Sequence, residues 1–190
     1  MRIVAGLYRG RILTAPAGLG TRPTGDRTRQ AVFNILEHAA WMPPFEDSLV
    51  LDVFAGTGAL GLEALSRGAP HAVFIERERA AAAACRENIG NLGVGDRSEI
   101  LACDALRPPQ RPAHIAPRSL VFLDPPYGMD LGATALAALA ERGWLAHDAV
   151  CVLEMAKKQQ EQTPEGFTLL DERAYGIALV RFLSWPGVIR

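Results

Sequence analysis

Two hydrophobic periods alternate along most of the chain. Ser48–Phe54, Ala72–Ile75, Glu99–Ala102, Ser119–Leu123 and Ala149–Leu153 are short, nearly continuous apolar runs, the pattern of strands buried on both faces. Helix-spaced segments separate them: Ala59–Ser66 ended by Gly68, Arg79–Asn88, and Ala133–Arg142 with Gly143 as a stop. Strands alternating with helices predict an α/β fold whose mostly parallel sheet is covered on both faces. Phe167–Arg173 and Ile177–Ser184 follow one another around Ala174-Tyr175-Gly176 with no helix between, which predicts an antiparallel edge.

Ahead of this block, Ala31, Val32, Ile35, Leu36 and Ala39 recur at helical spacing, predicting a helix from Asp26 that Pro43-Pro44 stop. Residues 1–14, with Gly6 and Gly10, read as a short β-hairpin, and residues 15–25, rich in Gly, Pro and Thr, as a loop. The chain thus divides into a hairpin-and-loop extension, 1–25, and a main domain, 26–190. Lys157–Gln162 reads as an exposed loop.

At 190 residues, 49% of them hydrophobic, the chain suits one domain with a sizeable core. No apolar run approaches the roughly 20 residues needed to span a bilayer, and the N-terminus lacks the apolar stretch of a signal peptide. A cytoplasmic monomer is expected. Cys85, Cys103 and Cys151 are odd in number and far apart, with no Cys-x-x-Cys pair or Cys/His cluster, so each is expected to be a small core hydrophobe rather than a disulfide partner or metal ligand. His38, His71, His114 and His147 stand outside every motif and read as surface or packing residues.

The formal net charge of −1 hides an asymmetry. Residues 1–29 carry Arg2, Arg9, Arg11, Arg22, Arg27 and Arg29 against Asp26 alone, a net of +5, and the remainder nets −6. A basic arm on an acidic body suits a polyanion met at the N-terminus.

The first strand of the alternating block runs into Asp52-Val53-Phe54-Ala55-Gly56-Thr57-Gly58-Ala59-Leu60-Gly61. Glycines at 56, 58 and 61 fit G-x-G-x-x-G, whose physical content is close approach of a ligand to the backbone at a strand-to-helix turn. A dinucleotide would place its pyrophosphate at the helix N-terminus. Asp52, at the end of the strand, would repel that anion and suit a cation instead, such as the ammonium of S-adenosylmethionine. Glu76 ends the second strand, where an acid can accept from ribose hydroxyls; Asp104 ends the third, within reach of an adenine amino group, with Ala105 against the ring. The candidate cofactor residues are therefore Asp52, Phe54, Ala55, Gly56, Thr57, Gly58, Glu76, Asp104 and Ala105.

A fourth acid, Asp124, ends the fourth strand and opens Asp124-Pro125-Pro126-Tyr127-Gly128. An exocyclic amino group on a nucleobase is a poor nucleophile because its lone pair is delocalised into the ring. Two acceptors on its N–H bonds orient it and favour the pyramidal nitrogen of the transition state. Asp124 supplies one and the Pro125 carbonyl the other, aimed by two prolines of fixed φ. Tyr127 offers a face on which the base can stack. These residues leave adenine N6, cytosine N4 and guanine N2 open as targets. A nicotinamide-dependent oxidoreductase is the competing reading of the glycines, opposed by Asp52 and the Asp-Pro-Pro-Tyr loop.

The chain resembles the bacterial RsmD family in "VAGLYRGRIL" (Val4–Leu13), "RPTGDRTRQAVFNIL" (Arg22–Leu36), "DVFAGTGALGLEALSRGA" (Asp52–Ala69) and "FLDPPYG" (Phe122–Gly128). The first two are not general methyltransferase motifs. The resemblance implies a Rossmann-like class I methyltransferase with a seven-stranded sheet, S-adenosylmethionine as donor, and guanine N2 of small-subunit (16S) ribosomal RNA, free or in a ribonucleoprotein particle, as acceptor. The family often carries Phe where Tyr127 stands. Arg2, Arg9, Arg11, Arg22 and Arg27 are then the RNA-binding candidates.

Overall fold

The computed structural model describes residues 1–16, 23–127, 129, 131–159 and 162–187. After an N-terminal segment the elements run α1 (Pro23–His38), β1 (Leu49–Val53), α2 (Ala59–Ser66), β2 (His71–Ile75), α3 (Arg79–Leu92), β3 (Ser98–Leu101), β4 (Arg118–Leu123), α4 (Leu131–Glu141), β5 (Leu145–Ala156), β6 (Thr168–Tyr175) and β7 (Ala178–Trp185). The sheet has seven strands in the order β3-β2-β1-β4-β5-β7-β6. The first five are parallel; β7 inserts antiparallel between β5 and β6.

Alternation of side chains along the central strands splits the core into two. Val50, Phe74, Phe122 and Val152 pack with α1, α2 and α3 through Val32, Phe33, Leu62 and Ile89. Leu51, Val53, Val121 and Leu123 pack on the other face with Leu136 and Leu139 of α4. Phe33 anchors α1: its ring lies 5.3 Å from that of Phe122 and 5.6 Å from that of Phe45, and the Arg67 guanidinium sits 4.8 Å over it. Full burial of such a ring is worth about 1.5–3 kcal/mol.

Several expected boundaries move. The helix begins at Pro23 rather than Asp26, since a proline in the first turn gives up no needed N–H. The strand expected from Ala149 reaches back to Leu145 in β5, past polar His147-Asp148, which breaks the apolar pattern and, with Asp148 at φ 58°, shifts the register from Arg118–Leu145 to Leu120–Val150 without ending the strand. The closing hairpin turns at Gly176-Ile177, between the paired residues Tyr175 and Ala178, rather than around Tyr175.

The N-terminal hairpin is reduced to one antiparallel bridge, Arg2–Ile12. Ile3 N–H donates to the Arg11 carbonyl (2.9 Å) and Leu13 N–H to that of Met1 (3.1 Å) around this bridge, while amides of the intervening turn go to α2. The buried carboxylate of Glu63, in α2, accepts from the amides of Val4 (2.7 Å) and Ala5 (3.0 Å), and Leu7 N–H donates to the Ser66 carbonyl (2.7 Å). At Gly6, φ 77°, a Cβ would stand 1.9 Å from that carbonyl, so only glycine permits the approach. The segment is thereby sewn to α2 by main-chain bonds, with the side chains of Arg2, Arg9 and Arg11 exposed.

Candidate functional site

The carboxyl edge of the parallel strands opens on a crevice of about 520 Å³, within the range of small-molecule sites. It is bounded by the β1–α2 loop, by strand-end acids, by the loop after β4 and by the N-terminal half of α1.

The β1–α2 loop turns through three left-handed residues, Phe54 (φ 60°), Gly56 (φ 56°) and Gly58 (φ 79°). Phe54 is one of two non-glycine residues so placed among the described residues, a conformation that persists only where surroundings over-determine it. Here the Ala55 N–H donates to the Ile75 carbonyl (3.1 Å), Gly58 N–H to that of Ala55 (2.7 Å), and Asn88 Nδ2 to that of Thr57 (3.0 Å). The glycines divide their work. A Cβ at Gly56 would meet little, on the crevice side; one at Gly58 would come 2.7 Å from the Cys85 sulfur, and one at Gly61 2.4 Å from the Phe74 ring. Phe54, Ala55, Gly56 and Thr57 line the crevice, whereas Gly58, expected there, is held by helix packing beneath it.

The acids stand at successive strand ends. Asp52 is 1% exposed and accepts from the Gly61 amide at 2.8 Å. Burial pushes its pKa up to about 8, the Gly61 N–H opposing and the carboxylates of Asp124 and Glu76 adding to the rise. Glu76 accepts from the Gly56 amide through Oε2 and the Glu78 amide through Oε1, both at 2.8 Å. Asp104 accepts from Leu106 N–H at 3.0 Å and lies 3.9 Å from Arg77, with Ala105 buried beside it. The three acids and Ala105 line the crevice, as does Cys103, half-buried rather than a core residue. Cys85 and Cys151 are buried, and burial raises both thiols.

Leu123 of β4 pairs with Val53 of β1 and Leu153 of β5, so the following loop, Asp124 to Tyr127, starts in the middle of the sheet edge. All four of its residues line the crevice; Asp124 is exposed, Pro125 buried. The Tyr127 hydroxyl donates to Oε1 of Glu154, near the carboxyl end of β5, at 2.5 Å. Gly128 lies outside the described residues.

Sequence reasoning missed Glu154, although "AVCVLE" repeats the signal of an apolar strand ending in an acid. It also missed the roof. Met1, Thr28, Arg29 and Val32 line the same crevice, which no local pattern announces. Arg29, counted with the basic arm, is buried; it donates to the Arg2 carbonyl at 2.6 Å and stands 4.0 Å from Glu63. Arg2, Arg9 and Arg27 instead converge on a separate surface groove of about 320 Å³ with Gly10 and Gln30. Arg11 is exposed outside it, and Arg22 lies outside the described residues. Of the histidines, His71 is half-buried, 3.2 Å from Arg118, and the other three are exposed. No helix among the described residues is long and apolar enough to cross a membrane.

The family described as "Conserved hypothetical protein 95" matches residues 1–184. The ribosomal RNA small subunit methyltransferase D of Haemophilus influenzae is 39% identical over 185 residues, covering 95% of this chain and 92% of the relative. The solved structure of the Escherichia coli protein yhhF aligns over 99% of both chains with a TM-score of 0.81 and 33% identity. An RNA methyltransferase from Salinibacter ruber, solved with S-adenosyl-L-homocysteine, shares the fold at a TM-score of 0.63, 16% identity and coverage of 90% of this chain and 97% of that one. With its Rossmann-like seven-stranded sheet and a match along nearly its whole length, the chain belongs to the RsmD family.

Proposed function

We propose that the protein transfers a methyl group from S-adenosylmethionine to the exocyclic N2 amino group of a guanine in small-subunit ribosomal RNA. The observation that carries this reading is the placement of Asp124-Pro125-Pro126-Tyr127 on the same crevice as the acid-lined glycine loop. The methyltransferase name of a relative 39% identical supports it, as does the S-adenosyl-L-homocysteine bound by a fold neighbour.

The residues fit this cofactor better than a dinucleotide. The Gly56 N–H, which would cradle a pyrophosphate, is spent on the Glu76 carboxylate. The Glu76 carboxylate adds negative potential where phosphates would lie, and Asp52 would have to hold its proton against such an anion, whereas a cation favours its ionised form. A ligand with a cationic methionine end and a neutral nucleoside end suits all three acids: Asp52 for the ammonium, Glu76 for ribose hydroxyls, and Asp104, with Ala105, for adenine. When bound, S-adenosylmethionine supplies a methyl group activated on a sulfonium.

The protein's part is to present the acceptor. Asp124 and the Pro125 carbonyl take the two N–H bonds of the amine and orient its lone pair. Tyr127, tethered through its hydroxyl, stacks on the base. The amine exchanges one N–H bond for an N–C bond, and Asp124 is the acceptor for the released proton, directly or through water. A base inside a helix cannot reach such a loop, so the target is unpaired or flipped out, at a cost of about a few kcal/mol. The extension over residues 1–25 grips the RNA: Arg2 and Arg9, joined by Arg27, form a forked-donor patch suited to phosphates, and Arg11 adds to it.

Mass spectrometry of ribosomal RNA nucleosides from a strain lacking the gene tests the reading. Loss of N2-methylguanosine from small-subunit RNA, restored by the gene, is expected. Undiminished N2-methylguanosine together with loss of N6-methyladenosine or N4-methylcytidine overturns it.

A further inference from the structure

Glu154 stands near the carboxyl end of β5, beside the acceptor loop. In the parallel pairing of β4 with β5, Leu123 is level with Leu153, so Asp124 and Glu154 are the next positions on adjacent strands, which run about 4.8 Å apart. Phe122 and Val152, two residues earlier in each strand, share one core cluster, so the two acids belong to the same side of the sheet. Both line the crevice, and Glu154 is half-buried. Among the described residues the Tyr127 hydroxyl is the one hydrogen-bond partner of the Glu154 side chain, and it occupies Oε1. Oε2 remains as an acceptor next to the pair that takes the amine.

The chemistry of the three candidate bases differs at this neighbouring position. In guanine the atom adjoining the amino-bearing carbon on the Watson–Crick edge is N1–H, a donor. In adenine it is N1 and in cytosine N3, both bare lone pairs. A carboxylate oxygen there accepts from guanine and opposes a lone pair in the other two, which discriminates by repulsion as well as attraction. We infer that Glu154 is the specificity-determining residue, reading guanine N1–H through Oε2 while Oε1 fixes the Tyr127 ring on which the same base stacks. The inference rests on the methyl-transfer reading and adds the group that selects among amino-bearing bases.

Small-subunit ribosomal RNA fragments carrying guanine or 2-aminopurine at the target position test it. Both bases present the 2-amino group, but N1 of 2-aminopurine is a lone pair. The native protein is expected to prefer guanine in kcat/KM by about 100-fold or more. In Glu154→Gln the amide oxygen still serves Tyr127 and its N–H can face the bare N1, so the preference should fall by about tenfold or more, with S-adenosylhomocysteine affinity unchanged as the sign of an intact fold. Tyr127→Phe, which keeps the carboxylate, should retain the guanine preference. An unchanged preference in Glu154→Gln overturns the inference, as does a native ratio near one should that variant methylate neither RNA. If the native protein methylates adenine or cytosine but neither 2-amino base, the methyl-acceptor reading itself fails and Glu154's role with it.

Discussion

The carboxylate of Asp52 accepts a 2.8 Å hydrogen bond from the amide of Gly61, nine residues later on the facing helix. Gly61 has no side chain because Phe74 and the Asp52 Cβ occupy that space, so strand and helix approach closely enough for the bond to form. The acid is thereby fixed at the floor of the crevice and shut off from water, the cause of its raised pKa of about 8.

A pH dependence follows. The folded pKa lies above the ordinary value of 3.8, so the folded state holds the proton more tightly, and that stabilisation is lost as pH rises from about 4 through about 8. Urea unfolding at a series of pH values should show this decline, and Asp52→Asn should flatten it. A cationic ligand favours the ionised form, so affinity for S-adenosylmethionine should rise toward pH 8, and binding near neutrality should release up to about one proton, read by calorimetry in buffers of different ionisation enthalpy.

Glu76→Ala should weaken cofactor binding by about 1.5–3 kcal/mol through loss of the ribose contacts. It also strips the Gly56 and Glu78 amides of their acceptor, so the loss should fall at the upper end of that range. Titration calorimetry with S-adenosylhomocysteine measures it; unchanged affinity removes Glu76 from the site.

Asp124→Ala should nearly abolish methylation and leave cofactor affinity intact, because its partner is the acceptor amine. Single-turnover rates beside equilibrium binding separate the two. Tyr127→Ala should be severe and Tyr127→Phe milder, since the stacking face survives while the Glu154 tether is lost.

Arg9→Ala with Arg27→Ala should weaken RNA binding and spare the cofactor. If both side chains meet phosphates, the plot of log affinity against log salt should become shallower by about 1.5–2. An unchanged slope moves the RNA away from this groove.

Glu63→Ala should be the most damaging change outside the crevice. It leaves the Val4 and Ala5 amides without their acceptor and Arg67, 3.0 Å away, without its buried partner. Loss of one member of a buried pair costs about 3–5 kcal/mol. Denaturant unfolding measures the loss, and proteolysis should begin in the freed N-terminal segment.

The sequence alone determined the parallel sheet with its antiparallel edge, the glycine loop, and the acids at the ends of β1 to β4, because each is written in a few consecutive residues whose period and turn chemistry act locally. Five strands of apolar residues have few ways to bury themselves other than side by side, and their carboxyl ends then gather Asp52, Glu76, Asp104 and Asp124 on one edge. Only the tertiary structure decided which arginines are available. Arg29 and Arg27 are two residues apart in one helix, yet one is buried in the crevice roof and the other joins Arg2 and Arg9 at the surface, since helix rotation against Phe122 and Phe45 selects the inner face. The same holds for the N-terminal segment, whose arms meet in one antiparallel bridge but whose Val4, Ala5, Leu7 and Tyr8 amides are taken by Glu63 and Ser66, some sixty positions away. It holds for Glu154 too, which meets Tyr127 only because β4 and β5 pair in one register. Such contacts depend on packing between segments remote in the chain, which hydrophobic period and turn chemistry do not encode.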